Sequence, residues 1–229
     1  MNVTNKKTYY QIILDKSGSM IDCIEETING FNEQMQMIKG LQEKFPEQEI
    51  LVSLTTFNHD VFVDLDCVIP NKLKEMITEQ KSRSWFVNFD DYIVYKPSGL
   101  TSLYDAIGES VKNIRNISQK EVLEDKATVI VVIITDGYEN SSKNYNYSQI
   151  KSMIKELEKS ENWTFTYLGN TIDAIQNATD LNINLSNSFV YDKSEITDMH
   201  LGMGSSIESY ISKKSNNIKE KQFLKWKDS

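Results

Sequence analysis

Residues 128–135 read TVIVVIIT, and Asp136-Gly137 follow. Six of these eight side chains are Val or Ile, and polar residues stand only at the ends. A strand with one wet face alternates apolar and polar residues. A strand apolar throughout has both faces covered, as in a parallel sheet flanked by helices on either side. β-branched side chains, stiff at χ1, suit that strand better than a helix. The neighbouring segments agree. Upstream, Leu103, Ile107, Val111 and Ile114 recur at the spacing of one helix face. Downstream, Ile150, Met153, Ile154 and Leu157 mark another helix, followed by a strand at Thr164–Leu168 and a short helix over 171–178. A last short strand at Phe189–Tyr191 leads into a final helix over 195–213.

The N-terminal half supplies the rest of the sheet. Tyr9–Leu14 (YYQIIL) opens it, and Ile21, Ile24, Ile28, Phe31, Met35, Ile38 and Phe45 predict one face of a long helix. Ile50–Phe57 reads as a strand. Asn58-His59-Asp60 turns the chain, and Val61–Cys67 returns antiparallel, since so short a link allows only a hairpin. Pro70 is placed to open a short helix through Ile77. The aromatic stretch Ser84–Tyr95 fits a strand or irregular chain. Strands alternating with helices predict an α/β fold: doubly wound, with a mostly parallel central sheet, one antiparallel edge hairpin strand and helices on both faces, Rossmann-like. No internal repeat or low-complexity linker divides the chain, so one domain is expected over residues 1–212.

Composition narrows the function classes. The chain has 229 residues, 39% hydrophobic and 25% charged, with 3 Pro and 9 Gly, which excludes a disordered or collagen-like chain. A net charge of −8 argues against generic nucleic-acid binding. No apolar run approaches the ~20 residues that cross a bilayer, so no membrane association is expected. The opening MNVTNKKTYYQIILD lacks the pattern of a signal peptide, so a cytoplasmic protein is expected. Cys23 and Cys67 then read as reduced thiols. Residues 213–229 depart from the acidic balance, with six lysines against Glu220 and Asp228. This lysine-rich tail reads as a solubilising frayed end, or as a docking segment built on Phe223, Leu224 and Trp226.

In a doubly wound sheet, ligands sit at the carboxyl ends of the strands, where strand order reverses. Three such places carry polar residues. Asp15-Lys16-Ser17-Gly18-Ser19-Met20 follows the first strand, Asp136-Gly137 follows TVIVVIIT, and Pro97-Ser98-Gly99-Leu100-Thr101-Ser102 precedes a helix. Taken singly, each has a plain explanation: Ser, Thr and Asp cap helices, and Asp-Gly is a common turn. Taken together, in this order, the pieces resemble the von Willebrand factor A domain family, of bacterial or phage type, with its metal-ion-dependent adhesion site. The motifs are Asp15-x-Ser17-x-Ser19, Thr101 within GLTSLYDAI and Asp136 within ITDGYENSS, and YLGNTIDA (167–174) is similar to bacterial members.

The resemblance implies that Ser17, Ser19 and Thr101 offer hydroxyl oxygens to a divalent ion, with Asp15 and Asp136 holding it directly or through water. Hard oxygen ligands suit Mg2+ (or Mn2+), and two carboxylates balance a dication. Zinc would favour His and Cys. His59 in a turn and His200 on a helix face match no ligand spacing. The resemblance further implies a protein partner presenting an Asp or Glu to the metal, and no enzymatic activity. Stand-alone bacterial members often work beside an ATPase or in a multi-protein system.

Two other readings remain open on the sequence. Asp64-Leu65-Asp66-Cys67-Val68 resembles the nucleophile motif of haloacid-dehalogenase-type phosphatases, with Asp64 attacking phosphate and Asp66 acting as acid. Against this, the preceding hairpin is wrong for a parallel first strand, and Asp64 and Asp66 alternate onto one solvated face of an edge strand. Alternatively the domain is structural and its metal site unused. Nucleotide binding lacks both Gly-x-Gly-x-x-Gly and Gly-Lys-Ser/Thr, and Ser17 has no histidine base placed near it.

Overall fold

The computed structural model describes residues 6–83, 88–170 and 173–225. In chain order the first half runs Lys7–Asp15 (β1), Ile24–Lys44 (α1), Glu49–Phe57 (β2), Val61–Val68 (β3), Glu75–Thr78 (β4), Glu79–Ser82 (α2) and Tyr92–Tyr95 (β5). The second half runs Leu103–Leu123 (α3), Ala127–Thr135 (β6), Tyr147–Leu157 (α4), Trp163–Gly169 (β7), Ala174–Asp180 (α5), Ser188–Val190 (β8) and Ile196–Ser215 (α6). Six strands form the main sheet in the order β3-β2-β1-β6-β7-β8, and only β3 runs antiparallel, against β2. The chain winds outward from β1 to β3, then crosses back to β6 and continues to β8. The reversal therefore falls between β1 and β6, whose registers match from Lys7↔Ala127 to Leu14↔Ile134.

Every residue of β6 is buried, and its side chains alternate between two cores. Ile130, Val132 and Ile134 face the layer of α1 and α6, with Phe31, Met35, Ile38, Met203 and Ile207. Val129, Val131 and Ile133 face the layer of α3, α4 and α5, with Ile107, Val111, Ile114, Ile150 and Ile154. Burying each such side chain is worth about 1.5–3 kcal/mol, so the central strands are fixed by the layers that sandwich them.

Two local expectations are corrected, and one left open is decided in part. Ile21 does not share the buried face of α1: residues Gly18–Cys23 form a 3-10 helix, whose tighter winding turns Ile21 out to 58% exposure. The segment from Pro70 is helical only over Pro70–Lys72, and Met76 and Ile77 then lie in β4, which pairs parallel with β5. Asn32 of α1 supports that strand by accepting from Met76 N (2.7 Å) and donating to Met76 O (2.9 Å). The ambiguous Ser84–Tyr95 stretch thus supplies a strand at its end, whereas residues 84–87 lie outside the described residues, as do 171 and 172 of the short helix expected there.

The basic segment after residue 213 is not a frayed end in its described part. Phe223 and Leu224 are fully buried in the α1/α6 core, with Phe223 packed 6.0 Å from the ring of Tyr10 and 6.2 Å from that of Tyr210. Asn187 holds the segment by accepting from Phe223 N (2.7 Å) and donating to Lys221 O (2.8 Å). Lys213 and Lys225 both pair with Glu220, and the Lys214 ammonium caps the sheet's lower edge by donating to Lys7 O, Thr8 Oγ1 and Thr128 Oγ1. The apolar residues of the docking alternative, Phe223 and Leu224, are the anchors; its third residue, Trp226, lies outside the described residues. His200 is likewise buried, its Nδ1 2.8 Å from Gln34 Oε1 between α1 and α6, and burial lowers its pKa to about 3.

Candidate functional site

Parallel pairing of β1 with β6 brings their carboxyl ends together at the reversal point. There Thr135 Oγ1 donates to Asp15 Oδ2 (2.6 Å), and Ser17 N donates to Asp15 Oδ1 (2.7 Å). Burial raises the Asp15 carboxyl to about pKa 6, an effect that these hydrogen bonds oppose and the charge of neighbouring Asp136 reinforces. A carboxylate held in this way favours a compensating cation.

The hydroxyls converge on the same point. Ser17 Oγ lies 3.1 Å from Ser19 Oγ, and Ser19 Oγ donates to Asp136 Oδ1 (2.6 Å). Asp15, Ser17, Thr101 and Asp136 are buried, while Ser19 is exposed at the mouth. None of the hydroxyls is consumed as a helix cap: neither Ser17, at the start of the 3-10 helix, nor Ser102, ahead of α3, makes a side-chain capping bond. Gly137 marks the centre of the cluster. A Cβ there would lie 3.2 Å from Thr101 Oγ1 and 3.7 Å from both Asp15 Oδ2 and Ser19 Oγ. A side chain there, on the third loop, would intrude on a space lined by oxygens from the other two.

Backbone bonds fix those loops against one another. Gly18 N donates to Gly99 O (3.0 Å) and Ser98 N to Lys16 O (2.9 Å). Gly99 adopts φ +77°, a left-handed conformation that glycine takes without strain. The Thr101 loop is clipped to the segment after β6, because Thr101 N donates to Asn140 Oδ1 (2.9 Å) and Asn140 N to Thr101 O (3.0 Å). Glu139 adds to the clip by accepting from Tyr104 N, Ser141 N and Ser142 N. The ring of five sequence-derived residues is therefore assembled by main-chain contacts among the loops as well as by its own side chains.

Sequence reasoning missed several members of the site. Tyr95 donates its hydroxyl to Asp15 O (2.7 Å), and Thr135 supports the Asp15 carboxylate. Most consequential is Lys193, whose ammonium lies 2.5 Å from Asp136 Oδ2 and donates to Ser19 O (2.5 Å). It lies three residues beyond the end of β8, and only the pairing of that strand into the sheet brings it to Asp136. Apart from this ion pair, Asp136 Oδ2 is a buried acceptor with no aligned hydrogen bond.

An ion fits the donor set. Among the described residues no cluster of three or more His, Cys, Asp or Glu is placed to hold a metal, so a cation at these strand ends relies on hydroxyls as much as on carboxylates. Two carboxylates and three hydroxyls match a hard dication that keeps some of its water.

The phosphatase residues are not brought together in this way. Asp64 is half-buried and accepts from Thr56 N (3.2 Å) and Thr56 Oγ1 (2.6 Å), which differs from the solvated position expected of it. Exposed Asp66 accepts instead from Asn113 Nδ2 (3.0 Å) on α3. Irregular pairing around Leu54 in the β2–β3 ladder, with Cys67 at φ 50°, breaks the simple alternation between the two.

A doubly wound sheet with an oxygen-lined, loop-built cluster at its switch point defines a class of α/β domain. Residues 11–202 match the von Willebrand factor type A domain, and the chain belongs to that family. No curated protein matches the chain significantly. Solved structures share the fold at low identity. The PilB minor pilin from Streptococcus sanguinis matches at 11% identity and TM-score 0.56, over 90% of this chain and 62% of that one. Proximal thread matrix protein 1 from the mussel byssus, with a zinc-occupied adhesion-site motif, matches at 14% and 0.54, over 86% and 47%. The domain of the type V pili tip protein Mfa5 from Porphyromonas gingivalis matches at 11% and 0.53, over 92% and 97%. The chain thus spans less than two thirds of the mussel and streptococcal proteins. Among the described residues no helix is long and apolar enough to cross a membrane.

Proposed function

We propose that this protein is a divalent-metal-dependent protein-binding module of bacterial or phage type. In this reading Asp15, Ser17, Ser19, Thr101 and Asp136 hold Mg2+ or Mn2+, and an Asp or Glu of a protein partner completes the coordination. The observation that carries the reading is the convergence of three loops on the Gly137 position, with oxygens of Thr101, Asp15 and Ser19 around one point. The bound ion would supply a Lewis-acidic site for an incoming carboxylate. The chain's own residues orient the oxygens, balance the charge and exclude bulk water from Asp15. A domain of residues 1–212, with the following segment packed into its core, that acts by binding, without catalysis, in the cytoplasm and beside an ATPase or within a multi-protein assembly, fits this chemistry. The zinc reported in the mussel protein makes Zn2+ a necessary arm of the test.

Calorimetric titration with Mg2+, Mn2+ and Zn2+ tests the ion. The wild type is expected to bind, Asp15→Ala to lose binding, and Lys16→Ala to keep it within about twofold, since Lys16 lies over the Phe62 ring. Absence of any metal response in the folded wild type overturns the reading. Capture of partners from the native cell in Mg2+, repeated with chelator, tests the second half: binding that survives chelation separates the interaction from the metal.

A further inference from the structure

We propose that Lys193 is a tethered cation that occupies the charge position of the metal at Asp136 and thereby sets how readily the site loads. The inference rests on the reading of the site as a metal centre and adds a residue to it. Lys193 starts a short 3-10 turn over Lys193–Glu195, between β8 and α6. Asp192 fixes that turn by accepting from Ser194 N (2.9 Å) and Ser194 Oγ (2.6 Å), so the Lys193 backbone is anchored beside the cluster.

Two independent contacts define its role. The ammonium pairs with Asp136 Oδ2 and donates to the carbonyl of Ser19, so it touches both the third and the first loop of the site (2.5 Å each). Its burial is asymmetric. The Asp136 side chain is 1% exposed whereas that of Lys193 is 28% exposed. The carboxylate has nowhere to go, but the long, flexible lysine can swing toward solvent. With Lys193 in place, Asp15 and Asp136 present one net negative charge to an incoming ion; with it withdrawn they present two. A divalent ion must therefore displace the ammonium from Asp136 or bind beside a like charge, and either outcome weakens its binding.

A purely structural ion pair would behave differently. Removing one partner of a buried pair would then lower stability and leave metal affinity unchanged or reduced. The tethered cation predicts the opposite sign for affinity. We expect calorimetric titration of the folded full chain with Mn2+ to give binding about tenfold tighter, or more, for Lys193→Ala than for the wild type. Lys193→Arg, which keeps the charge, should stay within about threefold of the wild type. Lys193→Met, which keeps the aliphatic stem, serves in place of Lys193→Ala should that variant not fold. Tighter binding in the neutral variants than in the wild type supports the proposal. Equal or weaker binding in the neutral variants overturns it while leaving the metal site intact, whereas no binding in any variant overturns both.

Discussion

At Gly137 a single missing methyl group keeps three loops in register around one point. Gly137→Ala would place a Cβ 3.2 Å from Thr101 Oγ1, closer than most real contacts allow, so the hydroxyl must give way. Metal affinity should fall by at least about tenfold, with the urea unfolding midpoint shifted little, because no buried apolar contact is lost. Asp15 sets the pH response. An acid whose folded pKa is raised, here to about 6, takes up its proton more readily when folded than when unfolded. The metal-free protein therefore gains stability from this group as pH falls from about 7 toward 4, and loses it as pH rises through 6. Metal binding needs the ionised form, so Mn2+ affinity should decline below about pH 6 by up to about tenfold per unit. An affinity flat from pH 7.5 to 5 would show that Asp15 does not face the ion. All five proposed ligands were legible as residues, because motif order and strand ends are local facts. Lys193 was not, since its partner Asp136 lies far away in sequence and only the sheet brings them together.

At the scale of elements, legibility follows the strength of the hydrophobic pattern. β6 and α3 read directly because their apolar residues are long runs at one period. The early part of α1 misled because a 3-10 turn and an α-helix share a step of three, and only the winding decides which way Ile21 faces. β4 and β5 are four residues each, too short for a period to show, and they form through pairing with one another and the Asn32 clasp. The Asp64–Asp66 alternation failed for a related reason: an irregular ladder is a property of two strands, and one strand's sequence carries no mark of it.

At the scale of the whole molecule, the doubly wound topology was legible because a strand buried on both faces demands cover on both sides. The cover supplied by the last segment was legible only as one of two readings, since Phe223, Leu224 and Trp226 stand among six lysines and nothing local says which way they pack. Phe223→Ala tests that contribution. Truncating a fully buried aromatic should cost about 3–5 kcal/mol in urea unfolding, with metal affinity unaffected because the cavity opens far from the strand ends. A loss below about 1 kcal/mol would mean that the segment only rests on the surface. The same contact has a bearing on how the molecule is made. β1 is synthesised early and occupies the middle of the sheet, yet Tyr10 gains its aromatic neighbour, and Lys7 and Thr8 their ammonium clasp, only from residues 214–223. A nascent chain stalled before that point would hold an exposed seam along its oldest strand. Chaperone engagement and proteolytic surveillance should therefore fall away only once Phe223 has cleared the ribosome exit tunnel.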